Sequence, residues 1–279
     1  MTTLINGKEV AADLRTTLKE QIVSLPTKPG LAVILVGDDP ASHVYVNNKI
    51  KACASVGIIS SERRLSDQAT FEDIAETITA LNNDDTVHGV LLQLPLPEHL
   101  ASVQETLVQM ISPAKDVDGL TTVNAGKLFL GISDGLVPCT PQGSLLLIKS
   151  VRKNLSGLNA VVLGRSNLFG KPMAQLLLQE NCTVTTAHSR TQNIADVCRQ
   201  ADILVAAVGR PKMVQKDWIK DGATVIDVGI NRLDTGKLCG DVDFDGAQGV
   251  AGAITPVPGG VGPMTIACLL QNTLRAYSL

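Results

Sequence analysis

The chain has 279 residues, enough at about 150 per domain for two domains or one large α/β unit, and 44% of them are hydrophobic, ample for a sizeable core. Only 3% are aromatic (one Trp, two Tyr, four Phe); this demands an aliphatic core, as in sheets covered on both faces by helices, and leaves few stacking platforms for single-stranded nucleic acid. Its 24 basic and 27 acidic residues give a net charge of −3, the wrong sign for a nucleic-acid footprint.

Met1 to Val10 contains no basic segment followed by an apolar run, so no secretory signal is expected. No apolar stretch approaches the ~18 residues of a membrane helix, and the longest, such as Ile203–Val208, are strand-sized. Six cysteines are scattered without a C-x-x-C pair, which predicts reduced, buried thiols in a cytoplasmic protein. The four histidines have no metal-ligand spacing, and no metal site is expected.

Gly7–Leu25 carries Val10, Leu14, Leu18 and Ile22 at helical spacing. Leu31–Gly37 is a short apolar run ended by glycine and predicts a buried strand. Asp39 and Pro40 look like an N-cap and a first helical position, opening a helix that runs to Val56 and stops at Gly57. Thr70–Asp73 resembles a capping box for a helix through Leu81. A strand at His88–Leu94, a helix around Leu100–Ile111 and a loop at Ser112–Gly119 follow.

After Pro138–Pro141, a helix at Gln142–Arg152 leads into strands at Ala160–Gly164, Thr183–Ala187, Ile203–Gly209, Thr224–Gly229 and Val250–Thr255, with helices between most of them. A glycine-rich stretch, Pro256–Pro263, precedes a last helix at Thr265–Tyr277. Such alternation implies right-handed crossovers and a mostly parallel sheet. The fold class is α/β: two α/β domains flanking a cleft, the second a Rossmann-like doubly wound sheet. The expected domains are 1–119, joined by the C-terminal helix 265–279, and 120–264.

Residues 159–172 read NAVVLGRSNLFGKP: strand, glycine, five residues, glycine, helix. Ser166 stands where G-x-G-x-x-G has its middle glycine, and Gly170 comes one residue late. The mechanism survives this, because Gly164 permits the turn, Gly170 permits close helix entry, and main-chain N–H groups face a pyrophosphate. Taken alone, the loop also fits an ordinary βα turn. An NAD-binding unit would place an acid at the end of the next strand; here His188-Ser189-Arg190-Thr191 has none. Ser189 and Arg190, with Arg165, offer a hydroxyl and cations suited to the 2′-phosphate of NADP.

In the first domain, Tyr45 and Lys49 are four apart and share a helix face that continues through Ala52 and Val56, whereas Lys51 points to water. The residues alone leave Lys49 open between a lysine snorkelling from a core helix and one whose ammonium is disfavoured by burial and handles protons near neutrality. Gln93 ends a strand at its carboxyl end, where parallel sheets bind ligands. Asp116 and Asp118 are turn-formers or substrate ligands.

Together YVNNK, GVLLQLPLP, PAKDVDGL, PCTPQG, VVLGRSNLFGKPMAQLL, VIDVGIN and PVPGGVGPMT run nearly end to end. They resemble the bifunctional methylenetetrahydrofolate dehydrogenase/methenyltetrahydrofolate cyclohydrolase family of the bacterial FolD type. The resemblance implies NADP-dependent oxidation of 5,10-methylenetetrahydrofolate and hydrolysis of the methenyl product to 10-formyltetrahydrofolate. It makes Lys49 the catalytic lysine, Gln93 its contact, Tyr45 the ring packed on the folate, and Asp118 the ligand of the pterin edge. Pro258, Gly259 and Gly260 become folate contacts; Gly164, Arg165, Ser166, Ser189 and Ile230 become cofactor contacts, beside Gly170 and Arg190 from the loop reading. It also implies a homodimer built on the second domain. A two-domain dehydrogenase of the shikimate type would lack the YVNNK helix and the PVPGGVGP loop.

Overall fold

The computed structural model describes residues 1–279, apart from the side chain of Ala41. The chain forms two compact units, each assembled from separate stretches: Asp13–Cys139 with Ile266–Leu279, and Met1–Ala12 with Thr140–Thr265. In chain order the first elements are β1 (Thr3–Leu4), α1 (Gly7–Val23), β2 (Gly30–Val36), α2 (Pro40–Val56), β3 (Ile59–Leu65), α3 (Phe71–Asn82) and β4 (Gly89–Leu92). Next come α4 (Gln104–Gln109), α5 (Thr122–Leu130), α6 (Cys139–Val151), β5 (Asn159–Leu163), α7 (Gly170–Gln179), β6 (Thr183–Ala187) and α8 (Ile194–Arg199). The last are β7 (Ile203–Ala206), β8 (Thr224–Asp227), β9 (Asn231–Arg232), β10 (Leu238–Cys239), α9 (Phe244–Ala247), β11 (Ala253–Ile254) and α10 (Val261–Tyr277).

The first unit is built on a three-stranded parallel sheet, β3-β2-β4. Every residue of the central strand β2 is buried. Ile34, Val36, Ile74, Ile78, Leu92 and Leu107 belong to one aliphatic core, as the shortage of aromatic residues requires. α2 starts where Asp39 accepts a hydrogen bond from Ser42 N (2.8 Å), and it ends at Gly57 in the left-handed conformation. The Thr70–Asp73 capping box is formed in both directions.

Two elements of this unit were not anticipated. β3 reads ISSERRL, too charged to look like a strand, yet it pairs with β2 over seven registered positions, Gly30↔Ile59 to Val36↔Leu65. As an edge strand it needs only one apolar neighbour, and charges blunt a free edge. α5 starts where Thr121 accepts from Asn124 N and ends at left-handed Gly131. The helix expected at Leu100–Ile111 is divided into a 3-10 turn, Glu98–Leu100, and the short α4.

The second unit has a six-stranded sheet in the order β1-β11-β8-β7-β5-β6, parallel throughout. From β5 the chain steps outward to β6, then crosses back to β7 on the other side of β5, which makes the sheet doubly wound with its switch point between β5 and β7. The strands end earlier than their apolar runs: β7 stops at Ala206 rather than Gly209, and β8 at Asp227 rather than Gly229. α6 and α10 begin at Cys139 and Val261, ahead of the expected Gln142 and Thr265. Proline is compatible with a first helical turn, so Pro141 and Pro263 do not delay them.

The compact units divide at Cys139/Thr140 rather than near Leu120. α5 and the segment after it stay with the first unit: Asn124 side-chain groups bond Pro113 O and Leu136 N. The extreme N-terminus belongs to the second unit, because β1 pairs with β11 through Thr3↔Ala253 and Leu4↔Ile254.

Candidate active site

Lys49 is half-buried on α2 while Lys51 is exposed, since successive turns of the helix carry Lys49 toward the sheet with Ala52 and Val56. Gln93 follows β4 directly and is buried; its main-chain N–H is fixed by Ile34 O (2.9 Å) and its Nε2 by Leu94 O (2.6 Å). That leaves Oε1 free to accept from Lys49 Nζ at 2.9 Å. Asp118 lies in the same electrostatic neighbourhood. Burial pushes its carboxyl above the usual range, while the nearby Lys49 charge and the Cys139 thiol pull it down. A lysine, a glutamine and an aspartate thus converge from a helix, a strand end and a loop.

The two aspartates of PAKDVDGL part company here. Asp116 is buried and accepts from Leu120 N (3.1 Å), Thr121 N (2.8 Å) and Asn124 Nδ2 (2.9 Å), a turn-former in full. Asp118 keeps part of its surface open. Asn272 on α10 holds the loop beneath it: its Nδ2 donates to Val117 O and Val137 O, both at 2.8 Å. Neither Asn272 nor Asn124 was singled out from sequence; a lone asparagine beside Cys268 and Leu269 on an apolar helix face was the available signal.

Tyr45 stands one turn before Lys49 with 53% of its surface exposed. The other tyrosine is already engaged, Tyr277 stacking at a tilt on His88 (4.8 Å) with its hydroxyl 2.9 Å from Thr27 Oγ1.

In the six-stranded unit, Gly164 follows β5 directly with φ of +130°, and a Cβ there would strike Ala207 O. A Cβ on Gly170, which opens α7, would strike Gly164 O. Main chain therefore passes main chain at the switch point with no side chain between. Ser166 Oγ caps the helix entry, accepting from Phe169 N (3.2 Å) and Gly170 N (3.4 Å). After β6, Thr191 Oγ1 accepts from His188 N (2.9 Å), and His188 Nδ1 accepts from Arg190 N (3.2 Å). This turn presents Ser189 and Arg190 to solvent. Among the described residues neither Arg165 nor Arg190 is in an ion pair. The donor set is cationic and hydroxylic, with no carboxylate, and is chemically fit for a phosphorylated dinucleotide. Ile230 is 58% exposed after β8. Pro258, Gly259 and Gly260 lie just before α10, with Gly259 at φ +105°.

Among the described residues no cluster of His, Cys, Asp or Glu could hold a metal, and no helix is long and apolar enough to cross a membrane. All six cysteines are free and five are buried.

A doubly wound sheet with a glycine turn at its switch point, in one chain with a lysine–glutamine–aspartate cluster, defines a two-domain dinucleotide-binding enzyme. Residues 5–118 match the tetrahydrofolate dehydrogenase/cyclohydrolase catalytic domain, and residues 138–279 match the NAD(P)-binding domain of the same family. The chain belongs to that family. It is 56% identical over 289 residues to the bifunctional protein FolD of Rhizobium johnstonii, covering 99% of this chain and 96% of that one. A crystal structure of the bifunctional FolD of Campylobacter jejuni superposes with a TM-score of 0.96 at 44% identity, covering 100% of this chain and 99% of the other. The Trypanosoma brucei dehydrogenase-cyclohydrolase, complexed with NADP and an inhibitor, gives 0.91 at 37% identity, with 99% and 97% covered.

Proposed function

We propose that the protein oxidises 5,10-methylenetetrahydrofolate with NADP+ and hydrolyses the resulting 5,10-methenyl cation to 10-formyltetrahydrofolate. Family membership supports both steps, and the hydrogen bond from Lys49 Nζ to Gln93 Oε1 carries the reading for this chain. NADP, when bound, supplies the hydride acceptor. Gly164, Arg165, Ser166, Gly170, Ser189, Arg190 and Ile230 are assigned to it, the two arginines and Ser189 favouring the 2′-phosphate over a bare hydroxyl. The NADP complex of the Trypanosoma brucei relative supports the choice.

The folate is assigned to Tyr45, Gln93, Asp118, Pro258, Gly259 and Gly260. Tyr45 offers a flat face to the pterin, and Asp118 accepts hydrogen bonds from the pterin's amino and amide edge. Removal of a hydride from the methylene carbon leaves an amidinium spanning N5 and N10. Water adds to that carbon and loses a proton; the carbon–N5 bond then breaks as N5 gains one, leaving the formyl group on N10. Lys49 assists these proton movements, its amine taking the proton that the water loses and returning one to N5, while Gln93 Oε1 holds Nζ in place. We further propose a cytoplasmic homodimer joined through the NADP-binding unit, whose edge strand β6 has one unpaired side.

The test is an assay with methylenetetrahydrofolate and NADP+, following the rise and then the decay of methenyl absorbance. A rise without enzyme-dependent decay removes the hydrolytic half. Comparable KM values for NADP+ and NAD+ remove the cofactor assignment.

A further inference from the structure

Two buried aspartates of the six-stranded unit have no part in the reaction above. Asp241, with none of its surface exposed, accepts through Oδ2 from Val208 N (2.6 Å) and Gly209 N (3.0 Å). Its Oδ1 accepts from Arg210 N (2.9 Å) and Asn231 Nδ2 (2.9 Å). Three consecutive main-chain amides converging on one point form the concavity with which proteins bind anions, and here the chain supplies the anion itself. Asp227, at the end of β8, accepts from Gly229 N (3.1 Å), Asp241 N (2.8 Å) and Val242 N (2.9 Å). A buried carboxylate is costly unless hydrogen-bonded, and both are.

What these carboxylates hold is the far wall of the switch point. The loop after β7 begins at Ala207, whose carbonyl oxygen is the atom a side chain on Gly164 would strike. The loop after β8 carries exposed Ile230 between Gly229, which donates to Asp227, and Asn231, which donates to Asp241. In a doubly wound sheet the ligand lies across the carboxyl ends of the strands at the switch point. With the 2′-phosphate turn after β6 and the pyrophosphate turn after β5, the remaining half of a dinucleotide extends past β7 toward β8.

We propose that Asp241, seconded by Asp227, is a positioning residue for the nicotinamide half of the cofactor, its carboxylate acting as an internal anion that shapes loops 207–210 and 229–231. The inference rests on the cofactor reading above. Asp241→Asn keeps the size, removes the charge and sets an NH2 against main-chain donors.

Calorimetric titration with NADP+ and with 2′,5′-ADP, which lacks the nicotinamide half, separates the outcomes. Asp241→Asn should weaken NADP+ about tenfold, the worth of one charge-assisted hydrogen bond, and leave 2′,5′-ADP unchanged. Equal weakening of both, or of neither, overturns the inference. Failure of the unaltered protein to bind NADP+ at all overturns the cofactor reading instead. Should Asp241→Asn not fold, Asn231→Ala removes a single donor to the carboxylate, and the same split between the two ligands is required of it, at about threefold.

Discussion

Lys49 and Lys51 lie two residues apart on α2 in opposite surroundings, one half-buried against Gln93 and the other in water. Helical periodicity alone separates them, so the stripe Tyr45–Lys49–Ala52–Val56 was legible in the sequence, whereas the partner of Lys49 was not: Gln93 is 44 residues away. Lys49→Met should abolish methenyl hydrolysis while leaving measurable hydride transfer, followed as NADPH formation; equal, small losses in both activities would refute the role. Tyr45→Ala should raise the KM for methylenetetrahydrofolate several-fold, since a stacked ring contributes ~1–3 kcal/mol, with little change in the KM for NADP+. Asp227 makes a different prediction. Burial, helped by the neighbouring Asp241 charge, pushes its carboxyl from 3.8 up to about 7, against the pull of three main-chain donors. The native state therefore binds this proton more tightly than the unfolded chain does. Its contribution to stability is fully present below pH ~4 and is lost as pH rises through about 7. Carboxyl carbon NMR should show Asp227 titrating near neutrality; a midpoint below 5 would contradict the assignment.

Among the elements, the helices with local start and stop chemistry were the readable ones. α2 and α3 each carry an N-cap that is realised atom by atom, Asp39 to Ser42 and Thr70 to Asp73. Thr70→Ala should lower stability by ~1 kcal/mol, the usual worth of an N-cap, seen as a shift in the urea midpoint with cofactor affinity unchanged. α5 has the same signals, Thr121 before it and Gly131 after it, but Leu128 is its one buried apolar residue, so no apolar stripe marks it in the sequence. β3 had no local signal: its strand state comes from seven registered partners on β2. The turn from β5 to α7 lies between these cases. Its glycines could be read, but the neighbour that makes them obligatory, Ala207, could not. Gly164→Ala asks alanine to adopt φ of +130° and to displace that carbonyl. The strain, on the order of 1–3 kcal/mol or more, should appear as a loss of NADP+ binding in titration, with cyclohydrolase activity retained.

At the scale of the whole molecule, the proposed homodimer predicts a sedimentation mass of twice the 29.4 kDa chain at micromolar concentration; a single-chain mass would remove it. Composition had already required an aliphatic core, and the alternation of apolar runs with helical stripes gave the α/β class, the parallel sheet and the order of its helices, because those patterns repeat over a few residues and each element expresses its own. The candidate lysine, the phosphate turn and the cofactor-discriminating turn after β6 were likewise local, carried by residues close together in the chain. Long-range pairing decided the rest. The N-terminal Thr3–Leu4 joins the six-stranded sheet rather than the unit that follows it in sequence, Asp116 becomes a turn-former while Asp118 stays available near Lys49, and Asp241 gathers three amides from one loop more than thirty residues before it. No local pattern encodes such partners, since a buried polar group is satisfied by whichever donors the completed fold brings to it, and only the tertiary structure says which those are.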